Sequence, residues 1–276
     1  MKTNNMDRRA LLASVGGVVA GSLIAGKATA GVLNPPPGPV GPTGRRLSSI
    51  ANMIARTPGG VAEPRLPVQG LPGSSDSLHV ISAPGSYYLT ENIQGVGGLH
   101  GIRIASPNVD LDLCGFHMIG APPNPAGTPS GSAIVCDQQN VTVFDGTVVG
   151  WQRGVDFELA SLFIVWDVTS IGATEGGFFL GDRGQAYDCD CYSTNGFGFA
   201  LMGVRSLVEE CGAWTCATGF KGINSPNLLL RNCATECPAP FDLGQGNSYG
   251  PIVAVVGAGD VSAIPNSGHP EANYVY

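Results

Sequence analysis

Residues 177–241 read GFFLGDRGQAYDCDCYSTNGFGFALMGVRSLVEECGAWTCATGFKGINSPNLLLRNCATECPAPF. Within them a small residue followed by an apolar one recurs at Gly177-Phe178, Gly198-Phe199, Gly219-Phe220 and Pro240-Phe241, each step being 21 residues. Toward the N-terminus the same pair appears at Gly154-Val155, Ala133-Ile134 and Gly101-Ile102, with steps of 23, 21 and 32. The long step contains Ala121-Pro-Pro-Asn-Pro-Ala-Gly-Thr-Pro129, whose prolines and glycine mark a loop insertion. A second apolar patch follows within most units: Val109–Leu113, Val141–Val143, Phe163–Val165, Leu207-Val208 and Leu228–Leu230. These runs are too short for helices. They alternate or are solidly apolar, as buried strands are.

A unit of this length built from short strands cannot bury its own apolar face. Copies stacked at the strand spacing of about 4.8 Å can. The asparagine-and-leucine consensus of leucine-rich repeats is missing, and propeller blades need about 40 residues or more. The expected fold is therefore all-β: a right-handed parallel β-helix of six or seven coils spanning residues 78–276. Cys191, Cys211 and Cys233 fall 20 and 22 apart, and Cys216 and Cys237 fall 21 apart, which predicts vertical ladders of cysteine. Eight cysteines allow disulfides in an oxidising compartment. Stacked coils, however, hold Cβ atoms parallel at about 4.8 Å, beyond the disulfide optimum of about 3.8 Å, which favours free core thiols. No Cys-x-x-Cys pair points to zinc.

The first thirty residues carry Arg8-Arg9, a weakly apolar run ending near Ala25, and then Lys27 before Ala28-Thr29-Ala30. The apolar run is too short to span a bilayer and has the layout of an export signal with a small-residue cleavage site. The arginine pair resembles a twin-arginine signal. No transmembrane helix is expected in the mature part. Residues 31–77 read as a Pro/Gly-rich linker, because prolines lack donors and fix φ. Within it Leu47, Ile50, Met53 and Ile54 recur at helical spacing, predicting a short capping helix over 45–57.

The formal net charge is −7, and charged residues make up only 13% of the chain. The first thirty residues hold four bases and one acid, so ten bases face twenty acids in the rest. Such a surface repels phosphate backbones, which excludes nucleic acid as an expected partner. A cation, or a neutral or basic partner, is electrostatically easier.

The stretch Ile81-Ser-Ala-Pro-Gly-Ser-Tyr-Tyr-Leu-Thr90 with Asn92-Ile93 resembles the first coil of exported right-handed parallel β-helix repeat proteins. Val109-Asp-Leu-Asp-Leu-Cys-Gly-Phe116, Phe144-Asp-Gly-Thr-Val-Val-Gly150 and the ending His269-Pro270 to Tyr276 are similar too. The resemblance covers roughly residues 63–276. It implies a pectate-lyase-like fold and almost no chemistry, since fold does not give function. Pectate lyases of this fold carry an Arg-x-Pro-x-x-Arg pattern beside a calcium-binding acidic cluster, and that pattern is missing. The Asn-Thr-Asp, Asp-Asp and Gly-His-Gly motifs of polygalacturonases are missing as well.

Aligning the coils places one turn position at Cys114, Asp145, Asp167, Asp190, Glu210 and Asn232. In the fold that the sequence resembles, this position commonly holds asparagine; here four consecutive coils carry acids. Carboxylates stacked at about 4.8 Å repel one another. Protonation, splaying into solvent, or a bridging cation such as calcium on Asp145, Asp167, Asp190 and Glu210 each relieves the cost. Asp167 and Asp190, flanked by acids, are the candidate catalytic carboxylates of a lyase or glycoside hydrolase. Trp151, Trp166, Tyr187, Tyr192 and Trp214 lie away from the inward position and are candidates for sugar stacking. Arg153, Arg183, Arg205 and Lys221 are the basic candidates of the middle coils, all four expected near turns rather than mid-strand. The missing catalytic motifs favour a non-catalytic protein that binds cell-surface glycan or another envelope component, with no cofactor. A polysaccharide-active enzyme using carboxylates on the β-helix face is the alternative.

Overall fold

The computed structural model describes residues 65–122, 130–255 and 264–276. The export signal expected at 1–30 and the helix expected at 45–57 both lie outside the described residues. Every strand pair is parallel, in one eight-stranded and one sixteen-stranded sheet. The strands Val141–Val149 and Ile164–Ile171 turn a corner without a break, so the larger sheet forms two walls of the solenoid. The chain is a parallel β-solenoid of about nine turns with a period of about 22 residues, not six or seven turns at 21. Two end turns escape the small–apolar count. At the first, His79 stands where Ile102 stands in the next turn. At the last, Ser248–Tyr249 is an exposed strand. Leu66–Pro67 already pairs with Tyr87 and Tyr88, inside the stretch read as linker. No α-helix occurs among the described residues.

The apolar members of the repeated pairs lie in one register. Ile102, Ile134, Val155, Phe178, Phe199, Phe220 and Phe241 are consecutive partners across the eight-stranded wall. All but Phe241 are fully buried. Geometry explains the small residue before each. A Cβ on Gly177 would run into Cys191 Sγ, and one on Gly154 into Ser170 Oγ, because this position faces the third wall across a narrow interior. Leu111, Val143, Val165, Ala186, Val208 and Leu229 form the inward row of the second wall. Met118, Val148, Ser170, Cys191, Ala213 and Ala234 form that of the third.

The turns share three corner positions, most of them held at positive φ. The first corner is Asn108, Asn140, Leu162, Arg183 and Arg205; the second is Cys114, Asp145, Asp167, Asp188, Glu210 and Arg231; the third is Gly150, Gly172, Ser193, Thr215 and Glu236. Asparagine and aspartate tolerate this region because a short polar side chain can hydrogen-bond locally, whereas leucine pays the full steric cost. Leu162, at φ 56°, is also 49% exposed. Its predecessors form a side-chain ladder in which Asn140 Nδ2 donates to Asn108 Oδ1 at 2.7 Å. Leu162→Asn is therefore expected to raise stability by about 1 kcal/mol, read as a higher urea midpoint at unchanged slope. An unchanged or lower midpoint would show that the corner carries no strain.

The C-terminus breaks the sequential order. Asn273–Val275 lies between Cys233–Thr235 and Ile252–Ala254, paired with both. The buried Asn273 amide donates to the Leu229 and Gly250 carbonyls and accepts the Asn232 N–H.

Candidate functional site

The structure spreads the residues singled out from the sequence over several corners and walls. Asp145, Asp167 and Glu210 do share the second corner. Asp190 does not: Asp188 holds that corner, and Asp190 opens the strand Asp190–Tyr192 on the third wall. Asn232 likewise follows the corner residue Arg231. The shift has a physical reason. The residue just after the corner points inward, and its ladder reads Val168, Cys189, Cys211 and Asn232, continued by Asn273. Asn232 Nδ2 donates to Val208 O at 2.9 Å, and Cys211 Sγ–H occupies the equivalent site on Ala186 O at 3.5 Å. Cysteine, not acid, thus stands in for the ladder asparagine. Cys191, Cys211 and Cys233 consequently belong to three different positions, while Cys216 and Cys237 share one, donating to the Cys191 and Ala213 carbonyls. All eight cysteines are unbonded, and the hydrogen bond to the Cys191 thiol, with burial added, pushes the Cys216 thiol up to about 12.

Glu210 pairs with Arg231, which also holds Glu209 and Glu271. Among the described residues no three His, Cys, Asp or Glu side chains converge to hold a metal ion. Arg183 and Arg205 sit at the first corner, and their backbone N–H groups bond Val204 and Pro226, but Arg153 and Lys221 stand in strands of the eight-stranded wall instead of near turns. Trp166 stacks on Phe144 at 4.8 Å and pairs in register with Tyr187 on the second wall. Trp214 stacks on Tyr192 at 4.6 Å on the third wall. Each stack consumes one ring face of both members, leaving less face for a sugar than the sequence suggested. Trp151 is buried, its Nε1–H on the Met118 carbonyl.

A different set of side chains converges on the outer face of the eight-stranded wall. His100, Arg103, Asp137, Asp156 and Glu158 line a groove of about 360 Å³, with Val135, Cys136 and Leu159 completing it. Arg103 and Asp156 follow Ile102 and Val155, whose burial turns the next residue of a strand outward. Arg153 anchors one side. It donates to Glu158 at 2.9 Å, Asp156 at 3.2 Å and Glu175 at 2.5 Å, with its guanidinium 4.1 Å from the Phe179 ring centre. Ser132 Oγ–H donates to Asp156 at 3.0 Å, and Arg103 reaches Asp76 at 2.7 Å. The hydrogen bond and charge of Arg153 hold the Glu175 carboxyl below its usual range.

His100 is half-buried, and Gly131 leaves the room its ring occupies. Its Nδ1 accepts the Ser132 N–H at 2.9 Å, so the neutral ring carries its proton on Nε2. Burial, then the Arg103 charge, pushes its pKa down. At neutral pH the groove therefore offers fixed carboxylate acceptors, guanidinium donors and one imidazole N–H, beside the 78% exposed Leu159. Sequence reading missed it. His100 belongs to no repeat in the sequence, yet it starts a strand whose neighbour two turns on begins with Arg153, and the outward position after each apolar pair was legible.

The fold and groove define a class: a parallel β-solenoid with a mixed-charge polar groove on one wall. Compared with known families, curated proteins and solved structures, the chain matches none.

Proposed function

We propose that this chain is an exported, non-catalytic β-solenoid that binds a neutral or amino-bearing glycan of the cell envelope in the groove beside His100. The groove carries this reading, because closely set acceptors and donors beside an apolar side chain suit hydroxyl-rich ligands. Five carboxylates (Asp76, Asp137, Asp156, Glu158 and Glu175) surround two guanidiniums, Arg103 and Arg153. That balance disfavours polyuronates. Arg153 holds Glu175 in its ionised form, which does not suit it to act as a general acid. Export rests on Arg8-Arg9 and the apolar run behind them, and a right-handed, pectate-lyase-like solenoid on the sequence resemblance.

Glu158→Gln should weaken glycan binding about tenfold, the expected loss of one charge-assisted hydrogen bond. A glycan array followed by calorimetry on wild type and variant reads it. Full affinity in Glu158→Gln together with Asp137→Asn would remove the groove as the site. Turnover of a polysaccharide that one of these carboxylate changes abolishes would replace this reading with the hydrolase or lyase alternative.

A further inference from the structure

The C-terminal strand occupies a place that the chain's own order assigns to another. Ile252–Ala254 follows Cys233–Thr235 by 19 residues, close to the solenoid period, so the two are successive rungs of the third wall. Asn273–Val275 nevertheless separates them. Two arrangements thus compete for the same backbone groups: the rungs paired directly with the tail outside, or the tail inserted between them.

The gap is built for this segment. Gly250 clears the way, since a Cβ there would collide with the Glu271 carbonyl. Arg231 takes the Glu271 carboxylate. Asn273 reads Leu229, Gly250 and Asn232 through its amide, and Ala272 is buried. The Tyr276 N–H donates to Ala234 O, while its carbonyl accepts the Glu236 N–H. Every one of these contacts is indifferent to which copy of the chain supplies the segment.

We propose that the gap between Cys233–Thr235 and Ile252–Ala254 is a strand-acceptor site, and that a second copy of this chain can fill it with its C-terminal segment. Exchanging an identical element between copies preserves all its contacts and costs chiefly the entropy of association. The competing rung-to-rung pairing supplies the state in which the tail is released.

Two full-length variants separate donor from acceptor. Asn273→Asp spoils the segment and keeps the gap; Gly250→Val blocks the gap and keeps the segment. A fluorescent peptide of residues 269–276 should bind the Asn273→Asp chain at least tenfold tighter than the same peptide carrying aspartate at its asparagine. The Gly250→Val chain should take up neither. Mixed together, the two variants should form a complex that neither forms alone. Equal binding of both peptides, or no uptake by the Asn273→Asp chain, would overturn the proposal. Should Asn273→Asp fail to fold, Glu271→Gln loosens the segment more gently, and the same peptide comparison decides.

Discussion

Phe199→Ala is expected to cost about 3–5 kcal/mol, the usual penalty for truncating a buried phenylalanine. Phe199 is fully buried between two like rings, 4.6 Å from Phe178 and 5.0 Å from Phe220. Phe241 extends the stack at 4.9 Å. Parallel strands fix the ring spacing, so neighbouring turns cannot close over the space left by one missing ring. Urea unfolding of Phe199→Ala and Phe220→Ala measures the effect, and the double variant should cost less than the two singles together, because each removes the other's partner. Losses below about 1 kcal/mol for both would contradict the stacked core.

The second large effect is expected at Asn232, which is fully buried. Its Oδ1 accepts the Cys211 N–H at 3.0 Å, and its Nδ2 donates to Val208 O at 2.9 Å and to Asn273 Oδ1 at 3.1 Å. Asn232→Leu strands two backbone groups, at about 1–3 kcal/mol each, for a loss of roughly 2–6 kcal/mol. Cys211→Asn should be far milder, because the amide would take over the weak thiol donation to Ala186 O. Chemical denaturation of both variants tests the pair. A Cys211→Asn chain as unstable as Asn232→Leu would show that the two positions are not equivalent.

The ladders show how far sequence alone reaches. Phe178, Phe199, Phe220 and Phe241 announce the solenoid because one residue type repeats at one interval, and along this wall a strand's neighbour is the next turn of the chain. The corner row is harder. Asp145 and Asp167 fall on it, but Asp190 sits two residues past it, since acids crowd positions 188–190 and spacing cannot say which of them adopts positive φ. The groove was less legible still. His100, Asp137 and Glu158 follow no repeat, and only the lateral pairing of turns brings them together.

Sequence by itself determined the all-β class, the parallel stacking and the identity of the inward row from Ile102 to Phe241. It did so because periodic burial leaves a periodic record. Tertiary structure alone decided how the interior fills. Along the eight-stranded wall the inward residues grow from Ile102 and Val155 to Phe178, Phe199 and Phe220. From the Phe178 turn onward the facing third wall shrinks from Cys191 to Ala213 and Ala234. In the Val155 turn, where the facing Ser170 is also small, the buried Phe157 and Phe163 rings fill the interior. Close packing requires the volumes to balance within each turn, and no single repeat shows that balance. The place of the C-terminal strand was likewise settled in three dimensions. Residues 252–254 carry the period and would claim that rung, but the Asn273 amide and the space left by Gly250 give the rung to the last strand of the chain.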